Sequence, residues 1–559
     1  MSEEILKLKK EIDRLKRAVK NQRYGLVWME VPEAFEDDIE NKLPILKEVP
    51  DLTIKNNDGK PTHILIEGDN YHALTCLNYT HKGKIDVIYI DPPYNTGSDD
   101  FRYKDKRFLD KFPDGTEVPK DHPLRHSYWL SFMHKRLELV HSLLRECGVM
   151  FISIDDNEVA QLKLLCNEIF GENNVEIYIW DVKDESEGAL PKTAKDTVRK
   201  EHEYLIATFK DKKSIKFNKY LEYKYLNSNE WGNPDRDPRG DWLSGNISRG
   251  EGGKPGSNFF TITTPGGKKY TRNWSIPEDE YLDKFKDHRI YFGKKGDGVP
   301  RVKVFRNEPS LATQSSIFSN LKSSISGKNL IIDILGKCDF EHPKPIELIE
   351  RIIEITSHKN AIILDFFAGT GTTGNAVLDL NEKDGGKRQF ILVTNDENRI
   401  CTEITFPRIK AVMNGYKNKK EITTGIGNSL KCYRTAFIGK NNILNTNDQD
   451  KIDLAHNAGE LLAITENTLE LVKQNQYHQL FVNGNEEKYT AVYFREELEK
   501  FDEFKETVKN LKKNVSVYIF SWGYEEFLDD FSDIEQVKIK TIPQPILEIY
   551  RQIYNLTSE

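Results

Sequence analysis

Residues 362–374, with the sequence IILDFFAGTGTTG, read as a buried strand that runs into a glycine-rich turn and then into a helix. Other strands and helices alternate on both sides of this segment. Strands are predicted at 64–66, 85–90, 149–154, 361–366 and 389–394, and helices at 70–79, 126–144, 346–356 and 372–380. Because strands that alternate with helices form parallel sheets, the pattern predicts one α/β sheet assembled from two separate segments of the chain.

The glycine-rich turn has the features of a ligand-binding loop. Gly369 and Gly371 let the backbone approach a ligand closely, and the helix that follows presents unpaired N–H groups. With Gly374 the spacing also matches the dinucleotide-binding pattern, and Asp396 lies about twenty residues further along. Asp365 would repel a diphosphate, however, whereas its carboxylate would accept a hydrogen bond from an α-ammonium group. The turn therefore favours S-adenosylmethionine over a dinucleotide.

A second motif, Asp91-Pro92-Pro93-Tyr94, follows the strand KIDVIYI, at the edge where open α/β sheets bind ligands. Consecutive prolines lack backbone donors, so Asp91 and the nearby carbonyl groups form a surface made only of hydrogen-bond acceptors. Such a surface fits an aromatic amine: Asp91 and the Pro92 carbonyl accept its hydrogens, which helps the nitrogen attack, while Tyr94 stacks on the ring. Taken alone, the motif is equally a Pro-Pro turn that ends a strand.

The composition limits the class of protein. The chain has 559 residues and a net charge of -8. No run is long enough for a membrane span and no apolar signal region is present, which predicts a cytoplasmic protein. The cysteines form no C-x-x-C pair and the histidines form no H-E-x-x-H motif, so no bound metal is expected.

The charge is unevenly distributed along the chain. Residues 192–328 contain 27 Lys and Arg and 17 Asp and Glu, whereas residues 441–559 contain 12 Lys and Arg and 22 Asp and Glu. A basic middle segment suits binding to a polyanion, and an acidic C-terminal segment suits binding to a protein partner.

The two motifs together resemble the paired motifs of the DNA amino-methyltransferases. The acidic Asp91 is similar to the first residue of the N6-adenine class, and the first motif precedes the glycine motif by 274 positions, as in the permuted β group. Further stretches resemble the modification (Mod) subunit of Type III restriction-modification systems: ILIEGDNYHALTCLNYTHKGKIDVIYIDPPYNTGSDDF, RHSYWLSFMHKRLELVHSLL, FISIDDNEVAQLKLLCNEIFGENN and HPKPIELIERII.

The resemblance implies a Rossmann-like, S-adenosylmethionine-dependent methyltransferase sheet with an inserted β-rich target-recognition domain and a small α+β C-terminal domain. The predicted boundaries are 1–60 for an N-terminal helix and connector, 61–185 and 331–429 for the two methyltransferase segments, 186–330 for the insert, and 430–559 for the C-terminal domain, with its dimer or partner contacts. Within the first of these regions, apolar residues follow the a/d spacing of a short docking helix: Ile5, Leu8, Ile12, Leu15 and Val19.

Site residues follow from the same resemblance. Asp91, Pro92, Pro93 and Tyr94 are assigned to catalysis. The cofactor is assigned first to the glycine motif, which comprises Asp365, Phe366, Phe367, Ala368, Gly369, Thr370 and Gly371. It is also assigned to Lys344 and Pro345, in a motif that lies over the cofactor in the family, and to Asp69, Asn70 and Asn395, which follow two other strands. As bare sequence, Pro345 is also a helix start and Asp69 a helix N-cap. Many relatives have an acidic ribose ligand where this chain has Asn395, Asp396 and Glu397, so the ribose ligand stays open.

The implied activity is methyl transfer to N6 of adenine in duplex DNA after base flipping. The implied partners are double-stranded DNA, a second copy in a homodimer, and a separate restriction subunit with helicase and nuclease activity, since G-x-x-x-x-G-K-[ST] is absent from the sequence. Alternatives are an N4-cytosine methyltransferase, a nucleotide-linked oxidoreductase, and a DNA-binding specificity subunit with a vestigial cofactor pocket. The basic stretch is expected to grip phosphates and read bases through Arg236, Arg239, Arg249, Lys254, Lys268, Lys269 and Arg272, spaced among Trp231, Trp242, Phe259 and Tyr270.

Overall fold

The computed structural model describes residues 26, 28–31, 42–56, 58–97, 104–112, 115–120, 122–182, 200–222, 231–249, 254–306, 308–418, 422–439, 448–494, 500–520, 529–532, 534–544 and 546–547. The predicted docking helix over residues 5–19 lies outside these residues. The chain divides into two compact units, a first unit of Met1–Asn218 with Ser315–Glu559 and a second unit of Lys219–Gln314. No helix among the described residues is both long and apolar enough to cross a membrane.

Strands and helices alternate along most of the first unit. In chain order the described strands are β1 Lys42–Glu48, β2 Thr62–Glu67, β3 Ile85–Ile90, β4 Leu144–Ile154, β5 Val175–Asp181, β6 His202–Phe209, β7 Tyr220–Glu222, β8 Trp242–Asn246, β9 Phe259–Thr263, β10 Lys269–Asn273, β11 Ile290–Tyr291, β12 Arg301–Phe305, β13 Ser310–Ala312, β14 Ile317–Phe318, β15 Ile362–Asp365, β16 Gln389–Thr394, β17 Gly415–Lys417, β18 Ile422–Thr424, β19 Ser429–Gly439, β20 Glu470–Gln474, β21 His478–Val482, β22 Lys488–Phe494, β23 Asn514–Phe520 and β24 Val537–Ile539. The helices are α1 Asn70–Thr80, α2 Ser127–Leu143, α3 Val159–Phe170, α4 Glu278–Lys286, α5 Ser324–Leu335, α6 Ile346–Thr356, α7 Thr372–Asp384, α8 Phe406–Asn414, α9 Asp448–Glu466 and α10 Phe501–Asn510.

A large mixed sheet forms the centre of the first unit. Among the described residues its strand order is β1-β19-β2-β16-β15-β3-β4-β6-β5-β14. The run from β19 to β4 is parallel, whereas β6 pairs antiparallel with both β4 and β5. Strand β3 is buried along its whole length, as expected for a parallel strand covered on both faces, and this explains why its sequence is apolar apart from Asp86.

The strands that carry the two sequence motifs are neighbours in this sheet. Leu364 of β15 pairs with Ile88 of β3 in parallel register. Parallel strands bring their carboxyl ends to the same edge, so Asp365 and Asp91 come to adjacent positions although 274 residues separate them in the chain. The predicted α/β sheet built from two chain segments is therefore confirmed.

The insert is shorter than the predicted range of 186–330. The compact second unit starts at Lys219 and ends at Gln314. Strand β6 lies before it and belongs to the central sheet, where it pairs with β4 and β5 and its residues Leu205–Phe209 are fully buried. The second unit is rich in β structure, with the three-stranded sheet β11-β12-β8 and the hairpin β9-β10. Its core includes Trp274, Tyr281 and Phe292.

The C-terminal part does not separate from the methyltransferase core at residue 430. Strand β19 lies between β1 and β2 in the central sheet. Beyond it, α9 packs between α1 and a second sheet, with the order β20-β21-β22-β23-β24 among the described residues. Leu461 and Leu462 of α9 share one hydrophobic cluster with Leu77 of α1 and Phe494 of β22. This continuous core explains why the α+β region belongs to the first unit rather than forming a unit of its own.

Candidate active site

A cavity of about 420 Å³ opens at the carboxyl ends of β15 and β3 in the first unit. Most of the predicted site residues line it: Asp91, Pro93, Tyr94, Lys344, Asp69, Asn70, Asn395, Asp365, Phe366, Phe367, Ala368, Gly369 and Thr370. Pro92, Pro345 and Gly371 lie outside the lining. The structure therefore brings most of the residues predicted for catalysis and most of those predicted for the cofactor together in one space.

The glycine-rich turn takes a conformation that favours glycine. Gly369 and Gly371 have positive φ angles of 47° and 76°, and a Cβ on Gly371 would lie 3.2 Å from Cγ2 of Thr405. Gly371 is the N-cap of α7, whose first residues Thr372 and Thr373 line the cavity. The turn and the helix N-terminus thus form one wall of the cavity, where polar or anionic ligand atoms are favoured.

Arg408 supports this wall from behind and was not predicted from the sequence. It is almost fully buried, and it donates hydrogen bonds to the Thr370 carbonyl at 3.3 Å, to Thr372 Oγ1 at 3.0 Å and to Asn375 Oδ1 at 3.1 Å. Burial lowers the pKa of Arg408 to about 10. No local sequence pattern marks this residue, because its partners lie more than thirty positions away on α7 and its turn.

Asp365 is buried at the base of the cavity. Its Oδ1 accepts from the Phe367 backbone N–H at 3.0 Å, and its Oδ2 accepts from Thr373 Oγ1 at 2.5 Å. Burial raises the pKa of Asp365 to about 7, although both hydrogen bonds oppose the shift. A cationic group in the cavity would stabilise the ionised carboxylate, which agrees with the predicted affinity for an α-ammonium group.

Asp69 and Asn70 connect α1 to the end of β15. Asp69 caps the helix by accepting from the Tyr71 N–H at 2.8 Å, and Asn70 Nδ2 donates to the Phe366 carbonyl at 3.0 Å. The fully buried Arg136 donates to Asn70 Oδ1 at 2.5 Å. These residues therefore serve both as a helix cap and as part of the cavity lining.

The end of β16 presents Asn395 and Glu397 to the cavity. Asn395 Nδ2 lies 3.4 Å from Glu397 Oε2. Asp396 lies outside the lining, and its carboxylate accepts from the Thr402 N–H at 3.0 Å. The acidic side chain available on this wall is thus Glu397 rather than Asp396.

Lys344 also lines the cavity, and it pairs with the Asp91 carboxylate. Lys344 Nζ donates to Asp91 Oδ1 at 2.8 Å and to Oδ2 at 3.0 Å, and it lies 3.5 Å from Glu203 Oε2. The same ammonium is 4.9 Å from the ring centroid of Tyr94, whose hydroxyl donates to Glu203 Oε2 at 2.9 Å. The resemblance assigned Lys344 to the cofactor, whereas the structure puts its ammonium against Asp91.

Charge and burial act in opposite directions at this pair. Burial raises the pKa of Asp91, and the charge and hydrogen bonds of Lys344 oppose that rise. Burial also opposes the charge of Lys344, but Asp91 and Glu203 outweigh it and raise the pKa of Lys344. Lys344 is 7% exposed, so its charge is balanced mainly by the two carboxylates beside it.

A buried polar network holds the segment after Tyr94. Asn95 has a φ of 59°, and its Nδ2 donates to Glu158 Oε1 at 2.6 Å, the same oxygen that lies 2.6 Å from His126 Nδ1. Asp105 accepts from the Asn95 and Gly97 N–H groups, both at 3.2 Å. These contacts fix the backbone that follows the D-P-P-Y motif.

Several cavity residues were not predicted as site residues. Glu203 is the most informative, because it lies on β6 in a range that the sequence assigned to the insert; the apolar run that follows it was the available signal. Others include Tyr89, Phe132, Phe340, Arg107 and Asp155.

The predicted DNA-gripping residues of the second unit divide into two groups. Trp242 and Tyr270 belong to its interior and are not available to stack on bases, and Arg239 pairs with Asp237 and Asp287. The remaining cations are exposed, apart from the partly exposed Arg272: Arg236, Arg249, Lys254, Lys268 and Lys269.

A family model described as DNA methylase matches residues 85–414, more than half of the chain. The chain belongs to the DNA methylase family. It is 34% identical over 452 residues to the Type III restriction-modification enzyme StyLTI Mod subunit of Salmonella typhimurium, covering 75% of this chain and 68% of that one. It is 30% identical over 418 residues to the EcoPI Mod subunit of Escherichia phage P1, covering 65% of this chain and 63% of that one.

A third relative, the Type II methyltransferase M.KpnI of Klebsiella pneumoniae, is 30% identical over 380 residues, covering 64% of this chain and 84% of that one. The predicted resemblance to Type III Mod subunits is therefore confirmed. As a member of the family, the chain is an S-adenosylmethionine-dependent DNA methyltransferase.

Proposed function

We propose that this DNA methyltransferase transfers a methyl group to N6 of adenine in duplex DNA, as the modification and specificity subunit of a Type III restriction-modification system. The observation that carries the proposal is the shared cavity: Asp91 and Tyr94 of the D-P-P-Y motif line the same space of about 420 Å³ as the glycine-rich turn. An amine held on one wall would meet a methyl donor held on the other.

The residues of the turn fit S-adenosylmethionine. The positive φ angles at Gly369 and Gly371 open a cradle without side chains, and the buried Asp365 offers a carboxylate to a cationic group. We assign the ribose hydroxyls to Glu397 and Asn395, since carboxylate and amide oxygens accept from hydroxyl groups. When bound, S-adenosylmethionine supplies an electrophilic methyl group on sulfur.

The chain's own residues would prepare the amine for attack. Asp91 accepts a hydrogen bond from the exocyclic amine, the Pro92 carbonyl is the predicted second acceptor, and Tyr94 stacks on the base at roughly 1–3 kcal/mol. As the nitrogen gains a methyl group it becomes cationic and must release one proton. Asp91 is the nearest carboxylate, and burial raises its pKa, so Asp91 is the group that would take up this proton on its way to water.

The target amine is inaccessible inside a duplex, so the base must leave the stack, at a cost of a few kcal/mol. The exposed cations of the second unit support a role for that unit in gripping phosphates and choosing the sequence. The partners we propose are double-stranded DNA, a second copy of the chain and a restriction subunit. The names of the StyLTI and EcoPI relatives, both Mod subunits of Type III enzymes, support the last of these.

Labelled product analysis tests the proposal. The purified chain is incubated with methyl-labelled S-adenosylmethionine and duplex DNA of mixed sequence, and the DNA is digested to nucleosides. We expect label in N6-methyladenine, and we expect Asp91→Ala to lose turnover by roughly 10²-fold or more while it still binds S-adenosylmethionine. Label in N4-methylcytosine would overturn the base assignment, and cofactor binding without transfer to any DNA would support a vestigial pocket.

A further inference from the structure

The Lys344 ammonium occupies the position that the target amine needs. It donates to both oxygens of Asp91, at 2.8 and 3.0 Å, and it lies 4.9 Å from the ring centroid of Tyr94. In the proposed function an adenine amine donates to the same carboxylate, and its ring stacks on the same tyrosine. Each Asp91 oxygen can accept more than one hydrogen bond, but the ammonium lies over the Tyr94 ring, in the space that a stacked base would take. A base that stacks on Tyr94 therefore pushes the ammonium aside and breaks at least one of its hydrogen bonds to Asp91.

Displacement requires a second acceptor for the lysine. Lys344 is 7% exposed, so leaving its charge without a hydrogen-bond partner is strongly unfavourable. An ammonium carries three donors in a compact head group, and Asp91 engages it through two oxygens. A nearby carboxylate would keep the charge satisfied when Asp91 is taken by the amine.

Glu203 meets this requirement. Its Oε2 is already 3.5 Å from Lys344 Nζ, so a small movement of the lysine head group converts the contact into a hydrogen bond. The same oxygen accepts from the Tyr94 hydroxyl at 2.9 Å. Glu203 is therefore in contact with the lysine that must move and with the tyrosine that stacks on the base.

We propose that Glu203 is a positioning residue that receives the Lys344 ammonium when the amine of the target base binds to Asp91. Lys344 serves as a stand-in for the amine in the absence of DNA, and it moves from Asp91 toward Glu203 when the base enters. This inference rests on the proposed function and adds to it a residue, on β6, that acts through Lys344 rather than on the reacting atoms.

The substitution Glu203→Gln separates this role from a purely structural one. Glutamine retains the shape and an acceptor for the Tyr94 hydroxyl, but it lacks the negative charge that attracts Lys344. Lys344 would then remain on Asp91 and compete with the target amine. A matched control is Glu176→Gln, because Glu176 on β5 also accepts from a tyrosine, Tyr178 at 2.6 Å, and from a lysine, Lys212 at 2.5 Å, outside the cavity.

The test compares two target bases within the site that sequencing of methylated DNA defines. Adenine carries the competing 6-amino group, whereas 2-aminopurine has no substituent at that carbon and becomes fluorescent when it leaves the stack. For Glu203→Gln we expect single-turnover methylation of adenine to fall at least tenfold, while S-adenosylmethionine binding and 2-aminopurine fluorescence match those of the unmodified chain. Glu203→Asp should recover part of the rate, and Glu176→Gln should methylate normally.

The possible outcomes separate the role of Glu203 from the proposed function. If Glu203→Gln methylates adenine as fast as the unmodified chain, the role of Glu203 is wrong and the proposed function stands. If 2-aminopurine fluorescence and cofactor binding fall together with the rate, Glu203 supports the cavity structurally, and the proposed movement of Lys344 from Asp91 to Glu203 is wrong. If the unmodified chain methylates no DNA, the proposed function fails, and the inference that depends on it fails as well.

Discussion

The ionisation of Asp91 depends on a balance between burial and neighbouring charge. Burial raises its pKa, the ammonium of Lys344 lowers it, and the carboxylate of Glu203 raises it again. The other titratable groups that act on this carboxylate or are acted on by it are Tyr89, Tyr94 and Asp365. Of these neighbours, Lys344 is the one that carries a positive charge, so its removal leaves the hydrogen bond from Tyr94 as the remaining contact that lowers the pKa of Asp91 against burial and Glu203.

Lys344→Met is therefore expected to shift the pH dependence of methylation. Without the ammonium the pKa of Asp91 rises further, and the carboxylate must be ionised to accept from the amine. The acidic limb of the single-turnover rate profile should move to higher pH, by roughly 1–3 pH units. A profile with an unchanged acidic limb and only a lower plateau would contradict this account of Lys344.

At the scale of a single element, the helix that begins after the glycine-rich turn offers a matched pair of glycines. Gly371 and Gly385 cap the two ends of α7, with φ angles of 76° and 68°. Alanine at either position is strained by roughly 1–2 kcal/mol in the left-handed region. Only the cap at Gly371 adjoins the cavity wall, and a Cβ there would press on Thr405 at 3.2 Å.

We expect Gly371→Ala and Gly385→Ala to lower the free energy of unfolding by similar amounts, with a somewhat larger loss for Gly371→Ala. Only Gly371→Ala should weaken the binding of S-adenosylmethionine. Chemical denaturation and calorimetric titration of both variants check the pair. Equal cofactor affinity in the two variants would show that the turn does not form the cofactor wall.

Two buried arginines allow the same comparison for side chains. Arg408 binds the N-terminal turn of α7, while Arg388 pairs with Asp384 at the other end of that helix, at 2.9 and 3.0 Å. Lysine cannot reproduce the fork of a guanidinium, so each Arg→Lys substitution leaves buried acceptors without a partner. The expected loss of stability is about 1–3 kcal/mol in each case.

Arg408→Lys should in addition weaken cofactor binding, because the loop it supports lines the cavity, and Arg388→Lys should not. Thermal unfolding with and without S-adenosylmethionine measures both effects. If saturating cofactor raises the midpoint of Arg408→Lys as much as that of Arg388→Lys, the loop does not need this arginine to bind the cofactor.

Elements with a strong local signal were predictable from the sequence. Strands β3 and β16 and helix α6 have the predicted bounds, because each is a continuous or periodic apolar segment between polar turns. Strand β6 was assigned to the insert, since its antiparallel pairing with β4 and β5 depends on distant partners that a local pattern does not reveal.

Site residues were likewise predictable from the sequence only where they belong to a local motif. Asp91, Tyr94 and the glycine-rich turn were found because each belongs to a short contiguous motif. Glu203 and Arg408 were missed because each acts on that motif from a different part of the chain, and only the folded sheet brings them close.

At the scale of the whole molecule, the two units differ in the charges that they offer to a ligand. The cavity lies in the first unit and includes several carboxylates, whereas the second unit has exposed cations on its surface. Carboxylates in the cavity suit an amine and a cationic methyl donor, but they repel phosphates. DNA must therefore be held mainly by residues outside the cavity, and the exposed cations of the second unit are the candidates.

Two pairs of lysines test whether the second unit holds the DNA. Lys268 and Lys269 are exposed in the second unit, and Lys512 and Lys513 are exposed near the C-terminus, so a double alanine substitution removes the same charge in both places. Replacing Lys268 and Lys269 should weaken DNA binding and reduce the slope of log affinity against log salt by roughly 0.9 per lost phosphate contact, whereas S-adenosylmethionine binding stays unchanged. Replacing Lys512 and Lys513 should change neither quantity. An equal loss of DNA affinity in both variants would mean that net charge, rather than the second unit, determines DNA binding.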